Sequence, residues 1–531
     1  MLMQLTGATI FVGFRQSIYM SLLWLIPVLI FPARAKSIAA FIGVVLWPFS
    51  LAAIGYFCIY QQELSQSVLF ILFESNFSES SEYIQQYFVW WMIVVFIMFT
   101  LSAIYLWRKT RPMVLSGSWK AIVCTAIAVF LFANPLFKEL VINKATWDGA
   151  TEKLQSRMEP AVPWQLVMGY MQYHDQLGSM ESLLEQNSKI EPLKNLVDEN
   201  ANAPATLVLV IGESTNRQHM SLYGYPRKTT PQLDAMQNEL AVFKNVVSSR
   251  PSTIESLTQV LTFADQENPD LYMTKPSLMN LMHQAGYKTY WVTNQQTVTK
   301  RNTMLTMFSK QTDEQIYLNN SRSQNTRQYD EVVIKPFLKI LQDNATRRFI
   351  VVHLLGTHMK YEYRYPPEFE RFKDKAGVSI TLPAASLRTY NHYDNAVLYN
   401  DFIVSSLIKD LAAHNIKSAL VYLSDHGEDV FDSGDHSFNG RNEARPTTPM
   451  YTIPFIVWTS GDWLSKPNTN ESRLDRHYSI SDFIHTWSDL AGLHYNGYDP
   501  AKSLLNDRFV ERQVMVGDPH AKKLLKDIKS L

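Results

Sequence analysis

Cysteine is almost missing: the 531-residue chain carries only Cys58 and Cys124, both in apolar stretches. Everything after Cys124 is therefore without a disulfide, a thiol nucleophile or a cysteine-based zinc site. Net charge is also absent, because 49 basic and 49 acidic residues cancel. Nucleic-acid binding needs a basic surplus that such a balance does not supply. Basic residues are scarcest at the front, where only Arg15, Arg34 and Lys36 precede Arg108. Histidine is missing from the front altogether, since all 13 lie at or after His174. The chain has no internal repeat and no low-complexity tract. It is too long for one ordinary domain, and it divides into an apolar front part and a polar, histidine-bearing back part.

What the front part does contain is long apolar runs. Four stretches, about Ser17–Pro32, Ser37–Tyr60, Tyr87–Trp107 and Trp119–Phe137, are apolar enough to cross a bilayer. A cleaved signal ending at Ala33-Arg34-Ala35 is the lesser reading, because a basic leader is lacking and another apolar run follows at once. Arg34 and Lys36 mark one loop as cytoplasmic, and Arg108, Lys109, Arg111 and Lys120 mark another. The stretch Gln61–Gln86 has no Lys or Arg and reads as external. Everything after Phe137 then lies outside, which in a bacterium is the periplasm beyond the inner membrane. The same topology puts Met1 outside, so a further helix upstream is expected. The expected layout is a transmembrane helical domain over 1–137, a connector over 138–204 and a soluble domain over 205–531. Inside the connector, Pro163–Met171 is aromatic and amphipathic. It reads either as a helix lying on the membrane surface or as one packed on the soluble domain.

Beyond Asn200–Pro204, apolar runs with strand character alternate with helical patterns. The runs are Thr206–Ile211, Lys288–Thr293, Phe349–Leu355, Ala419–Leu423 and Ile453–Thr459, with a helix such as Asp394–Leu411 between two of them. Repeated strand-then-helix order predicts an α/β fold with a doubly wound, mostly parallel sheet. In such sheets ligands bind beyond the carboxyl ends of the strands. Two of those ends carry chemistry. Leu207–Ile211 runs into Gly212-Glu213-Ser214, and Leu420–Leu423 runs into Ser424-Asp425-His426-Gly427-Glu428. An acid there is costly unless it faces a partner or a cation, so Glu213, Asp425 and His426 are a candidate three-ligand metal site with an open position. The plainer reading of Glu213 is a cap on the following helix, and of Asp425–Gly427 a turn.

A nucleophile for that metal should sit at a helix N-terminus, where free N–H groups receive phosphate oxygens. Ser249-Arg250-Pro251-Ser252-Thr253 precedes the helical pattern Ile254–Phe263 and supplies three hydroxyls. Thr253 is favoured, with Ser252 and Ser249 read as helix caps. His358, after Gly356-Thr357, and His436, after Asp435, lie in polar loops. They are candidates to bind phosphate, protonate a leaving group or hold a second metal. His353, inside a strand, is read as a satisfied core residue, and His219 as packed on the first helix.

These motifs carry a family resemblance. Ile211–Ser214, Ser221–Tyr225 and Thr230–Asp234 resemble the opening of the alkaline-phosphatase/sulfatase superfamily. With Ser252-Thr253, His353–His358, Tyr393–Asn395 and Ser424–Glu428, the set is similar to the membrane-bound phosphoethanolamine transferases, most of all the CptA/EptC type that decorates the heptose core of lipopolysaccharide. The resemblance runs through nearly the whole chain, including Leu23–Pro27 and Ser156–Pro160. It implies a single zinc-centred site on Glu213, Thr253, Asp425 and His426, with one tight zinc, and leaves open a second, transient zinc. Thr253 would be the nucleophile, and His358 and His436 would face the substrate. Phosphatidylethanolamine would donate phosphoethanolamine to Thr253, and a heptose hydroxyl of the lipopolysaccharide core would take it. Donor contacts at Ser75 and Glu79 would match those of the lipid A-modifying relatives, although Ile71 stands where those have Asn. Those relatives also carry soluble-domain disulfides, which this chain cannot form. Competing readings are a sulfatase, a phosphoglycerol transferase or a lipid A phosphoethanolamine transferase of the same fold, and a catalytically degenerate membrane scaffold. A sulfatase signature wants Arg where this chain has Thr253.

Overall fold

A computed structural model describes residues 11–60, 89–142, part of 147–171, 190–201, 203–296, 307–319, 329–414, 417–443, 445–461, 463 and 470–530. Ser75 and Glu79 lie outside the described residues. The chain forms two compact units, 1–180 and 181–531.

The first unit is helical. Among the described residues, three helices, Pro32–Cys58, Trp91–Lys109 and Gly117–Val141, are long and apolar enough to cross a membrane. The first of the four apolar stretches forms a shorter helix, Ser17–Ile30. A tight 3₁₀ turn at Leu22–Trp24 interrupts it, and the backbone leaves helical geometry at Phe31, just before Pro32, as expected for a residue preceding proline. Apolar surface alone does not align helices in a lipid-like environment, and two polar contacts tie Pro32–Cys58 to Trp91–Lys109. Trp47 Nε1 donates to Thr100 Oγ1 at 2.9 Å, and Trp107 Nε1 donates to the Lys36 carbonyl at 2.9 Å.

The second unit is built on a seven-stranded sheet. Its strands are β1 (Ala205–Gly212), β2 (Leu240–Val242), β3 (Lys288–Gln296), β4 (Glu314–Asn319), β5 (Arg347–His353), β6 (Ser418–Ser424) and β7 (Phe455–Thr459), in the spatial order β2-β7-β6-β1-β5-β3-β4. β6, β1, β5, β3 and β4 run parallel, while β7 is antiparallel to both of its neighbours. The doubly wound, mostly parallel sheet expected from the sequence is therefore present. β1 is buried along its whole length, which is why it reads as an unbroken apolar run instead of an alternation. Its two faces feed two cores. Leu207, Leu209 and Ile211 pack with α1 (Thr253–Val260) and α4 (Phe483–Ala491). Val208 and Val210 pack with α2 (Ile334–Leu341) and the long α3 (Ala384–Ala413). Each large aliphatic side chain so buried contributes about 1.5–3 kcal/mol, which anchors the central strand from both sides. α4 stops at Gly492, whose φ of +71° supplies the left-handed residue that closes many helices.

Candidate metal and active site

Register places the two acids side by side. β1 and β6 pair in parallel with Gly212 opposite Ser424, so Glu213 and Asp425 leave adjacent strand ends together, and the Asp425 N–H donates to the Gly212 carbonyl at 3.1 Å. Backbone donors then fix one carboxylate oxygen: Asp425 Oδ1 accepts from His426 N at 2.7 Å and from Ser214 N at 3.1 Å. Ser214 reaches that position with φ +58°. Glu213 is clasped from the other side by the turn after β5, where Thr357 N and Thr357 Oγ1 donate to the Glu213 carbonyl at 2.9 and 3.0 Å. Gly356 in that turn packs so closely that a Cβ would lie 2.7 Å from Glu213 N. Asp330 holds the turn by accepting from Leu355 N and Gly356 N, both at 2.8 Å. From α3, the Tyr393 hydroxyl donates to the Ser214 carbonyl at 2.7 Å.

Among the described residues, Glu213, Asp425 and His426 form the one cluster of three His or acidic side chains able to share a metal ion, with ligand atoms within 4.8 Å of one another. All three are buried. His426 Nε2 lies 3.2 Å from both Glu213 Oε1 and Asp425 Oδ2. Its Nδ1 donates to the Gly427 carbonyl at 2.9 Å, which leaves Nε2 with a lone pair directed at the acids. Asp425 Oδ2 is buried with no hydrogen-bond donor among the described residues. Oxygen and imidazole donors around an orphaned carboxylate oxygen suit a small divalent cation. The electrostatics agree. Burial and then the neighbouring Glu213 push the Asp425 carboxyl well above the usual range. Burial also opposes ionisation of Glu213, but His426, with His358 and Arg441, holds that carboxyl well below the usual range. Two buried carboxylates this close cannot both ionise without a cation between them.

Of the three hydroxyls in Ser249–Thr253, that of Thr253, the first residue of α1, reaches this cluster. Its Oγ1 donates to Glu213 Oε2 at 3.0 Å and lies 3.3 Å from His426 Nε2. Ser252 is extended and precedes α1 but makes no side-chain cap; its hydroxyl donates to Glu255 Oε2 at 2.7 Å. Ser249 pairs with the Ser479 hydroxyl at 2.5 Å. His358 is buried and acts electrostatically on Glu213. His436 is half-buried with φ +60°, and its Nδ1 donates to the Phe431 carbonyl at 2.7 Å.

Two histidines differ from the sequence reading. His353 is in the core, against Trp291, but it is not satisfied. Both ring nitrogens are buried without a partner among the described residues, and burial drives its pKa down to about 4. His219 does not simply pack on a helix. Its Nδ1 is 2.6 Å from Asp394 Oδ1 and its Nε2 is 3.1 Å from Asp432 Oδ1, with Arg227 on the other oxygen of Asp394 at 2.8 Å. The residue that sequence reasoning missed is Arg441, whose Nε lies 3.0 Å from Glu428 Oε2 and whose Nη1 meets His426 Nε2. Glu428 is buried, and burial pushes its pKa up to about 7. Its place at the end of the Asp425–Glu428 run was the only available signal.

A parallel sheet with an acid at each of two neighbouring strand ends, a helix-borne hydroxyl and a shared histidine defines the sulfatase class, and the Sulfatase family model matches residues 205–493. Two relatives narrow this. The chain is 52% identical over 524 residues to phosphoethanolamine transferase EptC of Escherichia coli strain K12, covering 98% of this chain and 91% of that one. It is 52% identical over 532 residues to phosphoethanolamine transferase CptA of Salmonella typhimurium, covering 99% and 92%. The zinc complex of the C-terminal periplasmic domain of EptC from Escherichia coli aligns with a TM-score of 0.63 and 56% identity, over 64% of this chain and 97% of that one. The chain belongs to the phosphoethanolamine transferases of the EptC/CptA type, and it is an enzyme of the phosphotransferase class.

Proposed function

We propose that this chain transfers phosphoethanolamine from phosphatidylethanolamine to a heptose hydroxyl of the lipopolysaccharide core, through a phosphothreonine-type intermediate on Thr253. The observation that carries the reading is the place of Thr253 Oγ1, at the first turn of α1 and 3.0 Å from Glu213 Oε2. Zinc is the proposed cofactor, held by Glu213, Thr253, Asp425 and His426; when bound it lowers the pKa of the hydroxyl and offsets charge on the phosphoryl group. Thr253 Oγ forms the new bond to phosphorus as the bond to diacylglycerol breaks; in the second step the sugar oxygen bonds to phosphorus as the Thr253 Oγ–phosphorus bond breaks, and the sugar's hydroxyl proton returns to Thr253. N–H groups at the start of α1 face the phosphoryl oxygens. His358 and His436 serve the substrate side, where they move the proton to and from the departing and arriving oxygens. Ser75 and Glu79 contact the donor lipid.

A membrane-dissolved donor supports the division into a transmembrane domain over 1–137, a connector over 138–204 and a catalytic domain over 205–531, the last in the periplasm beyond the inner membrane. The lack of cysteine after Cys124 supports a core sugar over lipid A as acceptor. The test is peptide mass spectrometry of the full chain in detergent after incubation with phosphatidylethanolamine. The expected product is a phosphoethanolamine adduct on Thr253, lost in Thr253→Ala and after zinc chelation. An adduct on another residue, or a phosphoglycerol adduct when both lipids are offered, would overturn the assignment.

A further inference from the structure

Arg441 follows the two-residue strand Asn439–Gly440, and its side chain is turned inward, 16% exposed. Three contacts fix it. Nε lies 3.0 Å from Glu428 Oε2. Nη1 donates to the Pro251 carbonyl at 3.2 Å, and it also meets His426 Nε2. Thr253 Oγ1 is 3.3 Å from that same His426 nitrogen. The guanidinium and the hydroxyl therefore share one neighbour, and the guanidinium is fastened to the loop that carries the hydroxyl.

A buried cation is retained only where it is paired, and Glu428 alone would pair it. That pair uses the Nε edge. The guanidinium fork has further donors on its two Nη atoms, and Nη1 reaches His426 Nε2, the nitrogen that Thr253 Oγ1 also neighbours. Once His426 Nε2 serves as a metal ligand its lone pair no longer accepts from Arg441, and the Nη1 N–H that met it needs another acceptor. A phosphoryl group in transfer at Thr253 Oγ1 presents anionic oxygens there, and a planar guanidinium is the side chain that matches them best.

The geometry points to Arg441 as a further catalytic residue, one that holds the non-bridging oxygens of the phosphoryl group while Thr253 attacks. The inference rests on Thr253 as the nucleophile. The Thr253 Oγ–phosphorus bond forms, the bond from phosphorus to the glycerol oxygen breaks, and the proton from the hydroxyl ends on the departing diacylglycerol. Arg441 exchanges no proton, and nothing is oxidised or reduced.

The test uses the full chain in detergent, loaded with zinc. In a Thr253→Ala background, calorimetric titration with phosphoethanolamine should show affinity about tenfold weaker or more when Arg441→Gln is added, partly recovered by Arg441→Lys. With Thr253 present, Arg441→Ala should slow adduct formation by about 10²–10³-fold, the range for losing one donor to a charged transition state, and added guanidinium ion should restore part of the rate. Zinc content should stay at the parent level. Because Arg441→Ala leaves Glu428 buried and unpaired, the neutral pair Glu428→Gln/Arg441→Gln is the second variant, checked by its melting curve. Unchanged phosphoethanolamine affinity and adduct rate, together with tighter zinc binding in a chelator competition, would overturn the proposal and make Arg441 a stand-in cation for the metal-free site. If no adduct forms on Thr253 in the parent, the nucleophile reading falls, while the titration still judges Arg441.

Discussion

Replacing Gly356 by alanine tests how the site is held. Gly356 has φ +58°, and a methyl group there would lie 2.7 Å from Glu213 N and 2.8 Å from Glu213 O. Two costs follow. The left-handed backbone costs a residue with a Cβ about 1–2 kcal/mol. Overlap with backbone atoms that cannot rotate away adds about 1–3 kcal/mol. Gly434 separates the two, because its φ is +61° and nothing lies within 4 Å of its added Cβ. Gly434→Ala should therefore lower stability by about 1–2 kcal/mol, and Gly356→Ala by about 2–5 kcal/mol. The gain in unfolded-state order from Gly→Ala is common to both and cancels in the difference. The assay is urea denaturation of each variant by tryptophan fluorescence, paired with zinc content per mole of protein. Glu213 is the residue displaced, so Gly356→Ala should lose zinc and Gly434→Ala should keep it. Equal destabilisation by the two variants, or full zinc content in Gly356→Ala, would refute the argument that this turn positions Glu213.

Two further outcomes follow from buried charge. Arg227 is buried against Asp394 and also donates to the carbonyls of Ala376 and Asp374, so Arg227→Met should cost about 3–5 kcal/mol, as breaking a buried ion pair does; a loss below about 1 kcal/mol would contradict it. Burial, with Lys502 nearby, pushes His485 down to about 4, and its Nδ1 accepts from Asp499 N at 3.2 Å. The unfolded chain takes that proton first on acidification, so this contribution is complete above a pH of about 6.5 and is lost as pH falls toward about 4, up to about 3 kcal/mol. His485→Phe should flatten that part of a stability-versus-pH curve measured by denaturation, and an unchanged slope would count against it.

Much of the second unit was legible because its strands are buried on both faces. Leu207–Ile211 and Ala419–Leu423 are unbroken apolar runs, and each lies inside an observed strand of the sheet. The cluster of Glu213, Asp425 and His426 was legible for a related reason: an acid that ends an apolar strand advertises a partner. Arg441 carried no such mark. It sits in a polar loop, 13 residues beyond Glu428 in the numbering, and only the fold brings it inward. His219 was misread because its partners, Asp394 and Asp432, are distant in sequence. The first apolar stretch was read too long because composition does not show the turn at Leu22–Trp24 or the break at Phe31.

Glu213 and Asp425 hang from neighbouring rungs of the sheet, not from a loop tip, and this ties their fate to the ladder beneath them. Parting the backbones that carry the two acids means opening the end of the ladder between β1 and β6, the pair at the centre of the second unit. Heat should therefore part the two acid-bearing strand ends and melt the sheet along one curve.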